Sequence, residues 1–129
     1  MDDRLRAGVG LFNAGEFFEA HEVWEALWLE SVGADRLVLQ GLIQIAAGYH
    51  KYEIGVPAGA LKLLTTGLQK LGAYGDEACG LVIGKVRAAV AADIERLRAA
   101  GSPCPPRLMF VAPRSEEGAG APSSKLQQS

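Results

Sequence analysis

Excess charge of one sign is what this 129-residue chain has least of. Its 13 Lys and Arg face 15 Asp and Glu, a formal net charge of −2. A dedicated nucleic-acid binder would carry a basic face, so no nucleic-acid partner is expected. Long apolar runs are missing as well. Nothing approaches the ~18 uninterrupted apolar residues of a membrane-spanning helix. The opening Met1-Asp2-Asp3-Arg4 lacks the apolar core of a secretory signal, so a cytoplasmic location is expected and no membrane partner. Cysteine is scarce: Cys79 and Cys104 stand alone, without metal-site spacing. In a chain read as unexported they are expected to be free thiols, a disulfide being the alternative. The glycines are spaced as helix breaks and helix contacts, not as a phosphate-cradling loop. No serine or cysteine adjoins a histidine in a nucleophile motif.

What is present is apolar substance, 49% of the residues. At this length it supports one domain with one core. The aromatic content concentrates in Gly15 to Glu30. Both tryptophans, Phe17, Phe18 and one of the two histidines lie there, interleaved with five glutamates. At 100° per residue, Phe17, Trp24 and Trp28 share one helical face, flanked by Ala20 and Leu27. His21 borders the other flank, with Glu25 one turn on. Glu22 turns to a neighbouring face beside Phe18 and Leu29, and Glu19 and Glu30 point to water. At this spacing the tryptophans are expected to be packing residues.

Around this stretch the chain reads as five helices. Asp2 or Asp3 can cap a first helix, whose apolar spacing is Leu5, Val9 and Phe12. Asn13-Ala14-Gly15 breaks it. Ser31-Val32-Gly33 ends the aromatic helix, and Asp35 is expected to cap a third, about 35 to 54. That helix is apolar on most of its circumference, with Gln40, Gln44, Ala47 and Lys51 as a narrow polar stripe, so it should lie centrally. Gly41 and Gly48 share a face where another helix can approach. His50 is expected on the apolar side, near Leu39, Ile43 and Ala46. Gly55-Val56-Pro57 breaks the chain again. Leu61, Leu64, Leu68 and Leu71 predict a fourth helix. Gly72 to Gly84 reads as a connection, and Val86, Val90, Ile94 and Leu97 as a fifth helix stopped by Gly101 and Pro103. The helical domain is thus 1–100. Residues 101–112 form an extended segment whose Leu108-Met109-Phe110-Val111 can dock on the helices, and 113–129 are expected to be disordered.

A repeat with a period of 40 runs through the first four helices. Gly8, Phe12, Gly15, Ala20, Trp24 and Trp28 correspond to Gly48, Tyr52, Gly55, Ala60, Leu64 and Leu68. Each unit is helix, glycine turn, helix. The first unit is spaced much like a tetratricopeptide repeat, but two units fall short of the three a solenoid generally needs. The expected fold is therefore all-α: two packed helical hairpins, weakly tetratricopeptide-like, closed by a fifth helix.

The residues able to carry chemistry are few. His21 and Glu25 are four apart, close enough on a helix to share a proton or a metal. The string His-Glu-x-x-Glu lacks the second histidine of a zinc metalloprotease helix, and no Glu-x-x-His of a di-iron bundle occurs. No metal or other cofactor is expected; were a metal bound, its ligands would be His21, Glu25 and His50. The catalytic candidates are His21, Glu22 and Glu25, with imidazole titrating near neutral pH. Gln40 and Gln44, one turn apart, and His50 are the ligand-binding candidates. His21, Glu22, Glu25, Gln40 and Gln44 are expected to converge on one partly buried polar site.

His21-Glu22-Val23-Trp24-Glu25 with Trp28, followed by Gln40-Gly41-Leu42-Ile43-Gln44-Ile45-Ala46-Ala47, resembles the domain-of-unknown-function family 309, small helical proteins of bacteria and archaea. The resemblance runs from about residue 7 to about residue 72. It implies an all-α fold and marks His21, Glu22, Trp24, Glu25, Gln40 and Gln44 as signature positions; it implies no activity. From the residues, the leading functional reading is a non-enzymatic module binding a small ligand or a protein partner, its His/Glu/Gln cluster structural or ligand-recognising. The alternative is a small metal-dependent or acid–base hydrolase-like enzyme using His21 with Glu22 or Glu25. Association of copies through an exposed apolar face is compatible with either.

Overall fold

The computed structural model describes residues 2–112, so the expected disordered tail lies outside the described residues. Five helices follow in order: α1 Asp3–Asn13, α2 Phe17–Glu30, α3 Asp35–Glu53, α4 Pro57–Leu71 and α5 Ile83–Arg98. Each packs on the next, α1 on α2, α2 on α3, α3 on α4 and α4 on α5. The fold is all-α, two helical hairpins and a closing helix.

Local chemistry explains most of the boundaries. Asp2 caps α1, its carboxylate accepting from the Arg4 N–H at 2.7 Å. The two hairpin turns are built alike. Gly15 and Gly55 both take φ +82°, the left-handed region in which a Cβ is costly. Glu16 N–H donates to Leu11 O and Val56 N–H to Lys51 O, both at 2.8 Å. Asp35 departs from expectation. It is the first residue of α3, not its cap; Ala34, the N-cap, already has helical angles (φ −64°, ψ −35°) and no side chain caps the helix.

The 40-residue repeat is repeated in the packing. Gly8 lies against the Trp24 indole as Gly48 lies against the Leu64 side chain. Ala20 and Ala60 are both fully buried. Trp24 is sealed inside, its Nε1–H donating to Leu5 O at 3.2 Å. Phe12 stacks on it and meets Phe17 and Tyr49 edge-on. α3 supplies Val38, Leu39, Leu42, Ile43, Ile45, Ala46 and Tyr49 to this core, which is why it is apolar on most sides. Its crossing with α4 is tight. A Cβ at Gly67 would stand 2.9 Å from Gly41 O and 2.7 Å from Ile45 Cγ1.

Between α4 and α5 the chain makes a short antiparallel ladder, β1 Glu77–Ala78 and β2 Leu81–Val82. Residues 72–84 were expected to be connection only. Ala78 pairs with Leu81 across the two-residue turn Cys79-Gly80, in which both residues have positive φ, 54° and 74°. α5 begins at Ile83, three residues before its first expected apolar position, because Ile83 is itself fully buried.

After α5 the chain runs back over the helices. Val111 N–H donates to Gly80 O and Val82 N–H to Met109 O, so Phe110 bridges to Leu81. Leu108 is buried, and both its backbone groups bond the Asn13 side-chain amide. The fully buried Asp93 of α5 ties the start of this segment down. Its carboxylate accepts from Tyr49 Oη at 2.6 Å, from the Cys104 N–H at 2.7 Å and from the Arg96 guanidinium. Burial, reinforced by the Asp93 carboxylate, holds the Tyr49 phenol well above its ordinary pKa. Both cysteines are free, Cys79 half-buried and Cys104 exposed. No helix among the described residues is long and apolar enough to cross a membrane.

Candidate functional site

The seam between α2 and α3 opens into a cleft of about 300 Å³, lined by His21, Glu25, Trp28, Gln40, Ile43, Gln44, Ala47 and Leu63. Its construction follows from helical geometry. His21, Glu25 and Trp28 rise along one side of α2 at steps of four and three. Gln40, Ile43, Gln44 and Ala47 rise likewise along α3. Leu63 of α4 completes the lining, which mixes polar and aliphatic side chains.

Two nitrogens of these side chains are closed to solvent and without partners. Among the described residues, His21 Nδ1 and Trp28 Nε1 are buried and make no hydrogen bond. A buried, unsatisfied donor costs roughly 1–3 kcal/mol, so each needs an explanation. Trp24, one turn from Trp28, satisfies its indole on Leu5 O; Trp28 finds no equivalent carbonyl. Trp28 is half-buried, with the Arg36 guanidinium 3.8 Å from its ring centroid. Gln44 is held by Lys70, whose Nζ donates to its Oε1 at 3.1 Å.

The structure thus brings His21, Glu25, Gln40 and Gln44 into one cleft, and leaves two candidates outside it. Glu22 is exposed and does not line it. His50 does not line it either. It packs half-buried against Phe18, their rings 5.0 Å apart, and Phe18 also lies 5.8 Å from His21. The reason is the neighbouring pair: Phe17 and Tyr49 meet inside the core at 5.3 Å, which places Phe18 and His50 together at the margin. His21, Glu25 and His50 accordingly do not gather as a ligand set. Among the described residues no three His, Cys, Asp or Glu side chains are grouped to hold a metal.

Sequence reasoning missed three contributors. Trp28 packs against the core as expected, but its further place in the cleft lining carried no signal. Arg36 and Lys70 carried no signal, because each acts through a residue of another element. The buried Asp93 was also missed, though its place between Val90 and Ile94 on the apolar face of α5 was a detectable anomaly.

A larger cleft of about 540 Å³ lies at the other end of α2, lined by Asp2, Leu5, Leu27, Ser31, Asp35, Leu39, Cys79 and Gly80. Burial, with the Asp35 carboxylate nearby, pushes its Cys79 thiol up to about 12. A thiol so held is protonated at neutral pH and a poor nucleophile.

Fold and cleft together define the class: an all-α array of two helical hairpins with a polar cleft between its second and third helices. The model of the family described as Domain of unknown function (DUF309) matches residues 5–63 of the chain. The segment holds every residue that lines the α2–α3 cleft. No curated protein matches the chain.

Proposed function

We propose that the protein is a ligand-binding helical module whose α2–α3 cleft takes a small polar molecule. The observation that carries this reading is the convergence of His21, Glu25, Gln40 and Gln44 on one cleft, beside the apolar side chains of Ile43, Ala47 and Leu63. A cleft with a few convergent polar groups on an otherwise apolar lining suits a small molecule that is itself partly polar. Acid–base hydrolysis by His21 draws less support. Glu22 lies outside the cleft, and His21 Nδ1 has no carboxylate to orient it.

The test is a thermal-shift screen of the purified chain against amino acids, organic acids, amines, nucleosides and sugars. The expected result is at least one class that raises the Tm of the wild type but not of Ala47→Leu, which fills the cleft. Gln40→Leu, at the margin, should weaken the same hits while retaining the wild-type circular dichroism spectrum. Absence of any hit, or hits unaffected by both substitutions, refutes the reading.

A further inference from the structure

The larger cleft, about 540 Å³ at the other end of α2, shares no lining residue with the α2–α3 cleft. Its apolar lining is Leu5, Leu27 and Leu39, and its charged side chains are two carboxylates, Asp2 and Asp35. The other polar side chains have no donor to offer. Ser31 gives its hydroxyl proton to Leu27 O at 2.8 Å, which leaves Oγ an acceptor. The protonated Cys79 thiol turns its S–H to Asp35 O. Asp2 is already engaged, accepting from the Arg4 N–H and standing 3.5 Å from Arg4 Nε. The Arg4 guanidinium is in turn held by Glu30 through two bonds of 2.9 Å. Asp35 is exposed and forms no ion pair among the described residues. The helix ends add to this balance. The positive N-terminal ends of α1 and α3 each carry their own aspartate, Asp2 and Asp35. The negative C-terminal end of α2 reaches the cleft at Leu27 and Ser31, and its last turn has no basic residue. Acceptors, a carboxylate without a cation and the negative end of a helix favour a charged donor. Three leucines favour an aliphatic body behind it.

We propose that this second cleft binds a small primary alkylamine, its ammonium on the Asp35 carboxylate and Ser31 Oγ and its chain along Leu5, Leu27 and Leu39. One carboxylate without a cation matches one ammonium. The leucines select an alkylamine over a bare ammonium ion. The two clefts are independent, so this assignment stands or falls apart from the α2–α3 ligand.

The experiment titrates the full chain at pH 7 with hexylamine, 1-hexanol and hexanoate, followed by calorimetry and by backbone amide NMR. The three share a chain and differ in the head group, and the amine is protonated at this pH as a lysine is. Hexylamine is expected to bind at least ~10-fold more tightly than either other probe, the scale of one hydrogen bond to a charged group. Amide shifts are expected at Ser31, Asp35 and Gly80. Asp35→Asn keeps the shape and removes the charge, and should weaken hexylamine by about tenfold while leaving hexanol unchanged. Glu19→Gln makes the same change of net charge at an exposed residue outside the cleft and should leave hexylamine unchanged. Hexanol or hexanoate binding as tightly as the amine overturns the assignment, as does no binding of hexylamine. So does an Asp35→Asn effect no larger than that of Glu19→Gln. Shifts centred on Gln40 and Gln44, read in the wild type without any variant, would place the amine in the α2–α3 cleft and overturn it too.

Discussion

Gly8 and Gly10 lie two residues apart in α1, and the same substitution should move stability in opposite directions at each. A Cβ at Gly10 meets nothing within 4 Å. Gly10→Ala then gains helix propensity alone, about 0.5–1 kcal/mol. A Cβ at Gly8 would stand 2.0 Å from Trp24 Nε1 and 2.5 Å from two further atoms of the same ring edge. The indole has nowhere to go. It is fully buried, stacked on Phe12 and bonded to Leu5 O. Overpacking of this kind costs about 1–3 kcal/mol, and breaking the indole bond leaves a buried donor at roughly the same cost. Against a propensity gain of ~1 kcal/mol, Gly8→Ala should lose about 3 kcal/mol net. For a domain of this size that is a fall in Tm of roughly 10 °C, against a rise of a few degrees for Gly10→Ala. Urea unfolding read by far-ultraviolet circular dichroism measures both. The clash is with the five-membered ring edge, so Gly8→Ala should cost less in a Trp24→Phe background, a coupling that a double-mutant cycle isolates. Equal effects of the two alanines, or an unchanged cost of Gly8→Ala without the indole, would refute the packing account.

Three further predictions concern groups away from the α2–α3 cleft. Asp93→Ala leaves Tyr49 Oη, the Cys104 N–H and Arg96 without their shared acceptor; a loss of about 3–5 kcal/mol is expected, against ~1–2 kcal/mol for Tyr49→Phe. Because the Tyr49 phenol is held above its ordinary pKa, the folded state keeps a proton that the unfolded chain releases near pH 10; stability is therefore full below that pH and falls above it. Denaturant midpoints between pH 8 and 11 should show this decline, and Tyr49→Phe should flatten it; a wild-type profile as flat as the variant's would contradict the assignment. For the thiols, alkylation at pH 8 should modify exposed Cys104 first and half-buried Cys79, pushed up to about 12, much more slowly. Mass spectrometry of peptides resolves the order, and equal rates would show that the hairpin turn opens freely.

The helices were legible because their causes are local. Apolar residues at steps of three and four, glycines able to take positive φ at 15 and 55, and Pro57 in a first turn act through neighbours a few residues away. The 40-residue repeat was legible for the same reason, and Gly8 with Trp24 and Gly48 with Leu64 show that it is a packing rule as well as a spacing. The shared side of α2 that carries His21, Glu25 and Trp28 follows from helical pitch alone. Which groups face it does not. That Gln40 and Gln44 lie across from His21, while His50 turns to Phe18, depends on how α2 crosses α3. That Lys70 orients Gln44, and that Asp93 reaches Tyr49 and the Cys104 backbone, depends on elements 11 to 44 residues apart in the chain being brought together. The short ladder at 77–82 was unreadable for a related reason: two residues per strand carry no period, and its bonds to Gly80 and Val82 come from 109–111. Local chemistry chose the helices and their faces; the angle and register of their packing chose the cleft.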